Sequence, residues 1–117
     1  MDLRDLVRAL VAGDALAARQ WVADAARMHV RWSGLAKPEL LPPDEMAIAA
    51  GIVELLAQRS GEPPPPWTEE VLPASRPVYL VRAAASMPRL RRTCEEEGPE
   101  PLRRRGVFAP PDFLTLG

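Results

Sequence analysis

A mainly α fold, built as a small N-terminal helical unit with a proline-rich, partly extended C-terminal arm, follows from three observations. Apolar residues recur at helical spacing through the first 60 residues, the chain has 14 prolines in 117 residues, and none of them falls in the first 37. Ordinary proline usage is about 5%, so the prolines mark where regular structure stops. Apolar side chains make up 47% of the chain but aromatics only 5%, which leaves a modest core of leucine, valine, isoleucine, alanine and three tryptophans. A chain of this length holds one domain.

From Asp2 to Val11, Leu3, Leu6, Val7 and Leu10 follow the i, i+3, i+4, i+7 pattern of a short amphipathic helix. Gly13 ends it. Asp14 then has the position of an N-cap for a second helix to about Val30, with Leu16, Trp21, Val22, Ala25 and Met28 near one stripe. A break across Lys37-Pro38 and Pro42-Pro43 precedes a third helix, capped by Asp44 and carrying Ala47, Ile48, Ile52, Val53, Leu55 and Leu56 to about Arg59. Ser60-Gly61 closes it as a glycine C-cap. This most apolar helix is the expected core element, and residues 1–61 form the expected helical unit.

Residues 62–76 read as a proline-rich spacer. Four prolines from Pro63 to Pro66 enforce polyproline II, a stiff loop anchored by Trp67 or, less in keeping with the rest of the chain, a ligand for an SH3-like or WW-like domain. Residues 77–117 are expected to hold a short helix and an extended basic arm. Pro77 to Val81 fits a short strand or a helix entry. Ser86 fits an N-cap for a helix from Pro88 to about Glu97, stopped by Gly98-Pro99. Its basic residues lie first and its acidic ones last, against the helix dipole, with Arg91–Glu95 and Arg92–Glu96 as i, i+4 pairs. Fully stretched, residues 99–117 would reach roughly 60 Å at about 3.3 Å each.

The formal charge of −1 hides an asymmetry: residues 1–75 carry 7 basic and 11 acidic side chains (net −4), and residues 76–117 carry 8 and 5 (net +3). A net of +3 is weak for a dedicated nucleic-acid binder. The single cysteine, Cys94, excludes an internal disulfide and a Cys-rich zinc site. The only histidine, His29, has no nucleophile beside it in sequence, and adjacent glutamates at Glu95 to Glu97 point different ways on a helix. With no glycine-rich phosphate loop, HExxH or paired CxxC motif, the chain reads as a non-enzyme without cofactor or metal. No run is long enough to span a membrane, and charges interrupt any signal-like start, so a cytoplasmic protein is expected.

The segments Trp67-Thr68, Pro77-Val78-Tyr79-Leu80, Pro88-Arg89-Leu90-Arg91 and Pro101-Leu102-Arg103-Arg104-Arg105-Gly106-Val107-Phe108 resemble the C-terminal region of small actinobacterial-type proteins encoded beside nucleotidyltransferase-like toxins of the abortive-infection class. The resemblance covers roughly residues 63–114. It implies an antitoxin-like protein with a cognate toxin as partner, bound through Trp67, Pro88, Arg89, Leu90, Arg103, Arg104, Arg105, Val107 and Phe108. In that reading the arm lies over the toxin's nucleotide cleft, its arginines meet acidic carboxylates, and Phe108, Phe113 and Leu114 fill apolar pockets. The alternative is a small DNA-binding regulator using the arginine-rich arm; the N-terminal helices, acidic overall, offer no basic recognition helix. Self-association through the third helix is a further alternative.

Overall fold

The structure, a computed structural model, describes residues 2–115. It is mainly helical. Helix α1 (Leu3–Ala12) starts at Asp2, whose carboxylate accepts from the Arg4 N–H at 2.9 Å. It ends at Gly13, φ 71°, where Asp14 N–H donates to Ala9 C=O at 2.9 Å and Gly13 N–H to Leu10 C=O at 3.1 Å, the two bonds of a Schellman closure. Helix α2 (Ala15–Arg27) is capped by Asp14, which accepts from Ala17 N–H at 3.0 Å. Leu3, Leu6, Val7 and Leu10 of α1 are buried with Ala18, Trp21, Val22 and Ala25 of α2. Leu16 and Met28, expected in the α2 stripe, instead face outward, with 79% and 65% of their surface exposed; Ala18 takes the inward position. The Trp21 indole N–H donates to Asp2 C=O at 3.1 Å and its ring lies 6.2 Å from that of Trp32, tying the hairpin to the chain that follows it.

Helix α3 (Pro43–Arg59) buries ten of its seventeen residues, so it is enclosed on nearly every side. Pro42, not Asp44, is its N-cap residue. Asp44 sits in the first turn, where a carboxylate is favoured by the dipole, and accepts from the Ser75 N–H at 2.8 Å. The far end closes as expected at Ser60-Gly61: Glu62 N–H donates to Ala57 C=O at 2.9 Å and Gly61 N–H to Gln58 C=O at 3.2 Å, with Gly61 at φ 71°. The prolines that follow lead into a 3₁₀ turn, Pro66–Glu70, in which Thr68 is buried.

Beyond the prolines the chain is not an arm. Strand β1 (Val78–Tyr79) pairs in parallel with β2 (Val107–Phe108), Val78 opposite Val107 and Tyr79 opposite Phe108. The connection carries a 3₁₀ turn (Arg82–Ala85), α4 (Pro88–Glu97) and α5 (Glu100–Arg103). Met87, not Ser86, occupies the N-cap of α4. Leu80, Leu102, Val107, Ala109 and Leu114 belong to the same buried cluster as Leu6, Ile48 and Ile52. The Cα radius of gyration, 13.1 Å, is that of a compact chain of this length, about 13 Å; a stretched arm would raise it. The extended arm expected over 99–117 is thus overturned for the described residues, and Leu116 and Gly117 lie outside them. The physical reason is that prolines and glycines here make corners rather than a rod: α5 turns at Pro99, and Gly106 has φ 74°. Each corner drops one apolar side chain onto α3 at a spacing matching neither helix nor strand. Gly51 makes room: a Cβ there would stand 2.7 Å from Leu102 Cδ2 and 3.3 Å from Pro101 C=O. With one core running from Leu3 to Leu114, residues 62–76 do not separate two bodies.

Candidate protein-binding surface

The arginines assigned to a partner are mostly employed inside the molecule. Arg105 is 4% exposed. Its guanidinium donates to Pro101 C=O and to Thr68 C=O, both at 2.9 Å, and stands 2.7 Å from Glu54 Oε2 of α3. That last contact is an ion pair off the N–H direction, so Oε2 accepts no hydrogen bond. Arg104 pairs with the other carboxylate oxygen of Glu54. Removing either member of a buried pair leaves a charge in a poor solvent, whereas the pair itself adds little net stability. Arg103 donates to Glu96 C=O at 3.1 Å, bringing to the C-terminal end of α4 the cation that α4 itself lacks.

The same device recurs. Arg91 donates to Ala84 C=O at 3.1 Å and Ala85 C=O at 2.7 Å, and Arg82 to Ala12 C=O at the end of α1. Arg59 donates to Phe113 C=O at 2.5 Å and to Pro111 C=O at 3.4 Å. Short elements leave many carbonyls without helical partners, and the guanidinium, with five donors on a long stem, reaches them. The i, i+4 pairs expected on α4 therefore do not form: Arg91 is turned to the 3₁₀ turn, and Glu95 accepts from the Tyr79 hydroxyl at 2.5 Å. That bond to a carboxylate raises the Tyr79 pKa. Burial raises that of Cys94, helped by the Glu95 charge, so the thiol stays protonated at neutral pH, whatever the arginines beside it in sequence.

Of the residues expected to meet a partner, Pro88 and Arg89 are exposed and Leu90 half-buried at the start of α4. Trp67 is half-buried and its indole N–H donates to Leu35 C=O at 2.8 Å. Phe108 is half-buried, its ring 5.3 Å from Tyr79. Val107, Arg105 and Leu114 are buried in this chain's own core, which corrects their expected place on a partner. The expected set is therefore scattered rather than gathered on one face.

What the structure does bring together is a groove of about 230 Å³ between the α1–α2 turn and the chain's last turns. Ala9, Leu10, Ala15, Ala18, Leu80 and Val81 form its apolar lining, with Phe113 and Leu114 as the opposite wall and Asp14, Arg19 and Asp112 as polar lining. Leu16 and Val11, next in sequence to Ala15 and Leu10, are 79% and 54% exposed. Neither lines the groove itself; they are exposed apolar side chains on the two helices that form one side of it. Sequence reasoning missed Leu16 because a stripe on a helical wheel does not say where the neighbouring elements stop. It missed Glu54 although the signal was there: a lone carboxylate in Ile52-Val53-Glu54-Leu55-Leu56 calls for a buried partner.

Among the described residues, no three or more histidine, cysteine or acidic side chains gather as a metal-binding group, and no helix is long and apolar enough to cross a membrane. Comparison with protein-family models, curated proteins and solved structures finds no match.

Proposed function

We propose that this chain works by binding another protein, as an antitoxin-like inhibitor of a nucleotidyltransferase-type toxin in the cytoplasm, with no chemistry of its own. The reading of the partner rests on the sequence resemblance. The observation that carries protein binding is the apolar groove, together with the exposed Leu16 and Val11 on the two helices that line it. Solvation of such apolar surface is unfavourable by about 25 cal/mol per Å², and covering it with a partner recovers that. The mode of binding differs from an arm draped over the toxin. Arg104 and Arg105 are engaged with Glu54, so inhibition comes from a folded face, with Pro88 and Arg89 of α4 as a second, smaller contact. The same engagement leaves a DNA-binding arm without two of its three clustered cations.

A pull-down of the tagged full-length protein from its native lysate, at moderate salt with nuclease present, tests this by mass spectrometry of what is retained. A stoichiometric nucleotidyltransferase-like protein, held by the wild type and lost with Leu16→Asp, is the expected result. Recovery of nucleic acid alone when nuclease is omitted would overturn it in favour of a regulator, and equal capture by both forms would move the contact away from the groove.

A further inference from the structure

Residues Pro110 to Thr115 form a strap that crosses α2, and open space lies on both sides of it. Leu114 is a wall of the groove against the α1–α2 turn and also of a second recess of about 370 Å³ lined by Val22, Ala26, His29 and Val30. Taken away, the strap would leave one continuous trough along α2. Its attachment differs from that of β2 just before it, whose main chain is paired to β1. Its main-chain hydrogen bonds are internal, Phe113 N–H to Pro110 C=O and Thr115 N–H to Asp112 C=O, both at 3.0 Å, and Pro110 and Pro111 have no N–H to give. Among the described residues no main-chain hydrogen bond joins it to the helices. It is held by three side chains: buried Leu114, half-buried Phe113, and Arg59, which donates to the strap's carbonyls. Docking also keeps Leu114 at φ 58°, a left-handed conformation that a leucine seldom adopts.

A segment with its own turns, docked through two adjacent apolar side chains and two carbonyls, has the construction of a bound peptide. We propose that the trough along α2 is a peptide-binding groove, that the strap is its resident internal ligand, and that a partner protein displaces it with a turn-forming segment of the same chemistry: prolines followed by an adjacent aromatic residue and leucine. This deepens the protein-binding reading and rests on it, but not on the partner being a toxin. An internal competitor lowers the apparent affinity of the external one by the fraction of time the groove is free, so the strap sets a threshold that only a well-matched partner crosses.

The test uses a fluorescent peptide with the sequence of residues 109–115, Ala-Pro-Pro-Asp-Phe-Leu-Thr, titrated by anisotropy against the full chain and against the full chain carrying Phe113→Ala and Leu114→Ala. Weak binding to the wild type, binding at least tenfold tighter to the double variant, and none of a peptide with Phe and Leu replaced by alanine are expected. Adding Arg59→Ala to the double variant should weaken peptide binding again. With far-UV circular dichroism showing the variant folded, binding to neither form, or equal binding to both, would overturn the proposal. If the double variant unfolds, Phe113→Ala alone is read in the same way, at a smaller ratio. A negative peptide result leaves a captured toxin standing, and a bound peptide stands even where no toxin is captured.

Discussion

The two halves of this molecule share one core but are held by different forces. In α1, α2 and α3 the side chains that matter are apolar, spaced by the helical period, and the caps are local: Asp2, Asp14, Gly13 and Gly61 each act within a few residues. In residues 66–115 the regular elements run from two to ten residues. Too few carbonyls find partners within such short elements, and five arginines, Arg59, Arg82, Arg91, Arg103 and Arg105, supply side-chain donors to main-chain carbonyls, Arg59, Arg82 and Arg105 across 37 to 70 residues of sequence. The contrast teaches that a chain poor in aromatics and regular structure can still close a core, provided its long cations are spent on backbone rather than on solvent.

If that contrast is right, the two halves fail by different substitutions. The largest effect is expected for Arg105→Ala, which leaves the Pro101 and Thr68 carbonyls without their donor and Glu54 with Arg104 alone and should cost about 4 kcal/mol in urea unfolding. Loss of under about 1 kcal/mol would erase the distinction between the halves. Leu6→Ala, wholly buried in α1, should cost about 3 kcal/mol by the same measurement, showing the N-terminal half to depend on volume. Gly51→Ala sits where the halves meet; overpacking against Leu102 should cost about 2 kcal/mol, seen as a lower midpoint with an unchanged slope. Arg89→Ala, at an exposed arginine, should change stability by no more than about 0.5 kcal/mol, which sharpens the claim that arginines bonded to main-chain carbonyls, and not arginine content, hold the second half.

A smaller effect concerns alkali. Tyr79 and Cys94 both have pKa values raised by folding, the first by its bond to Glu95 and the second by burial. A raised folded-state pKa means that the protonated form is favoured by the fold. Its contribution is intact below the ordinary values of 9.0 for the thiol and 10.0 for the phenol, and is lost as pH rises past them. Thermal melts should therefore drop above about pH 9, and Cys94→Ala together with Tyr79→Phe should flatten that limb while leaving neutral stability less affected.

The N-terminal half was largely legible in the sequence because its period and its caps are local properties: Leu3, Leu6, Val7, Leu10 and the run from Ala47 to Leu56 went inward as their spacing implied. Leu16 and Met28 did not, since how far a helix face is covered depends on elements far along the chain. The second half was misread for a physical reason. Leu102, Val107, Ala109 and Leu114 obey no single period, because each is delivered by a different corner. Arg103, Arg104 and Arg105 read as partner-binding residues, because the carboxylate that pairs with two of them lies about 50 residues earlier. The candidate surface lay across both halves, so neither half alone announced it.

The placement of Leu102, Val107 and Leu114 against α3 has a consequence in time. Chains are made from the N-terminus at about 5–20 residues per second, so the stretch between Arg59 and Leu102 takes roughly 2–9 s to emerge. For that interval the most apolar helix of the protein exists with its closing residues not yet synthesised, which makes nascent chains the form most in need of chaperone cover on the ribosome.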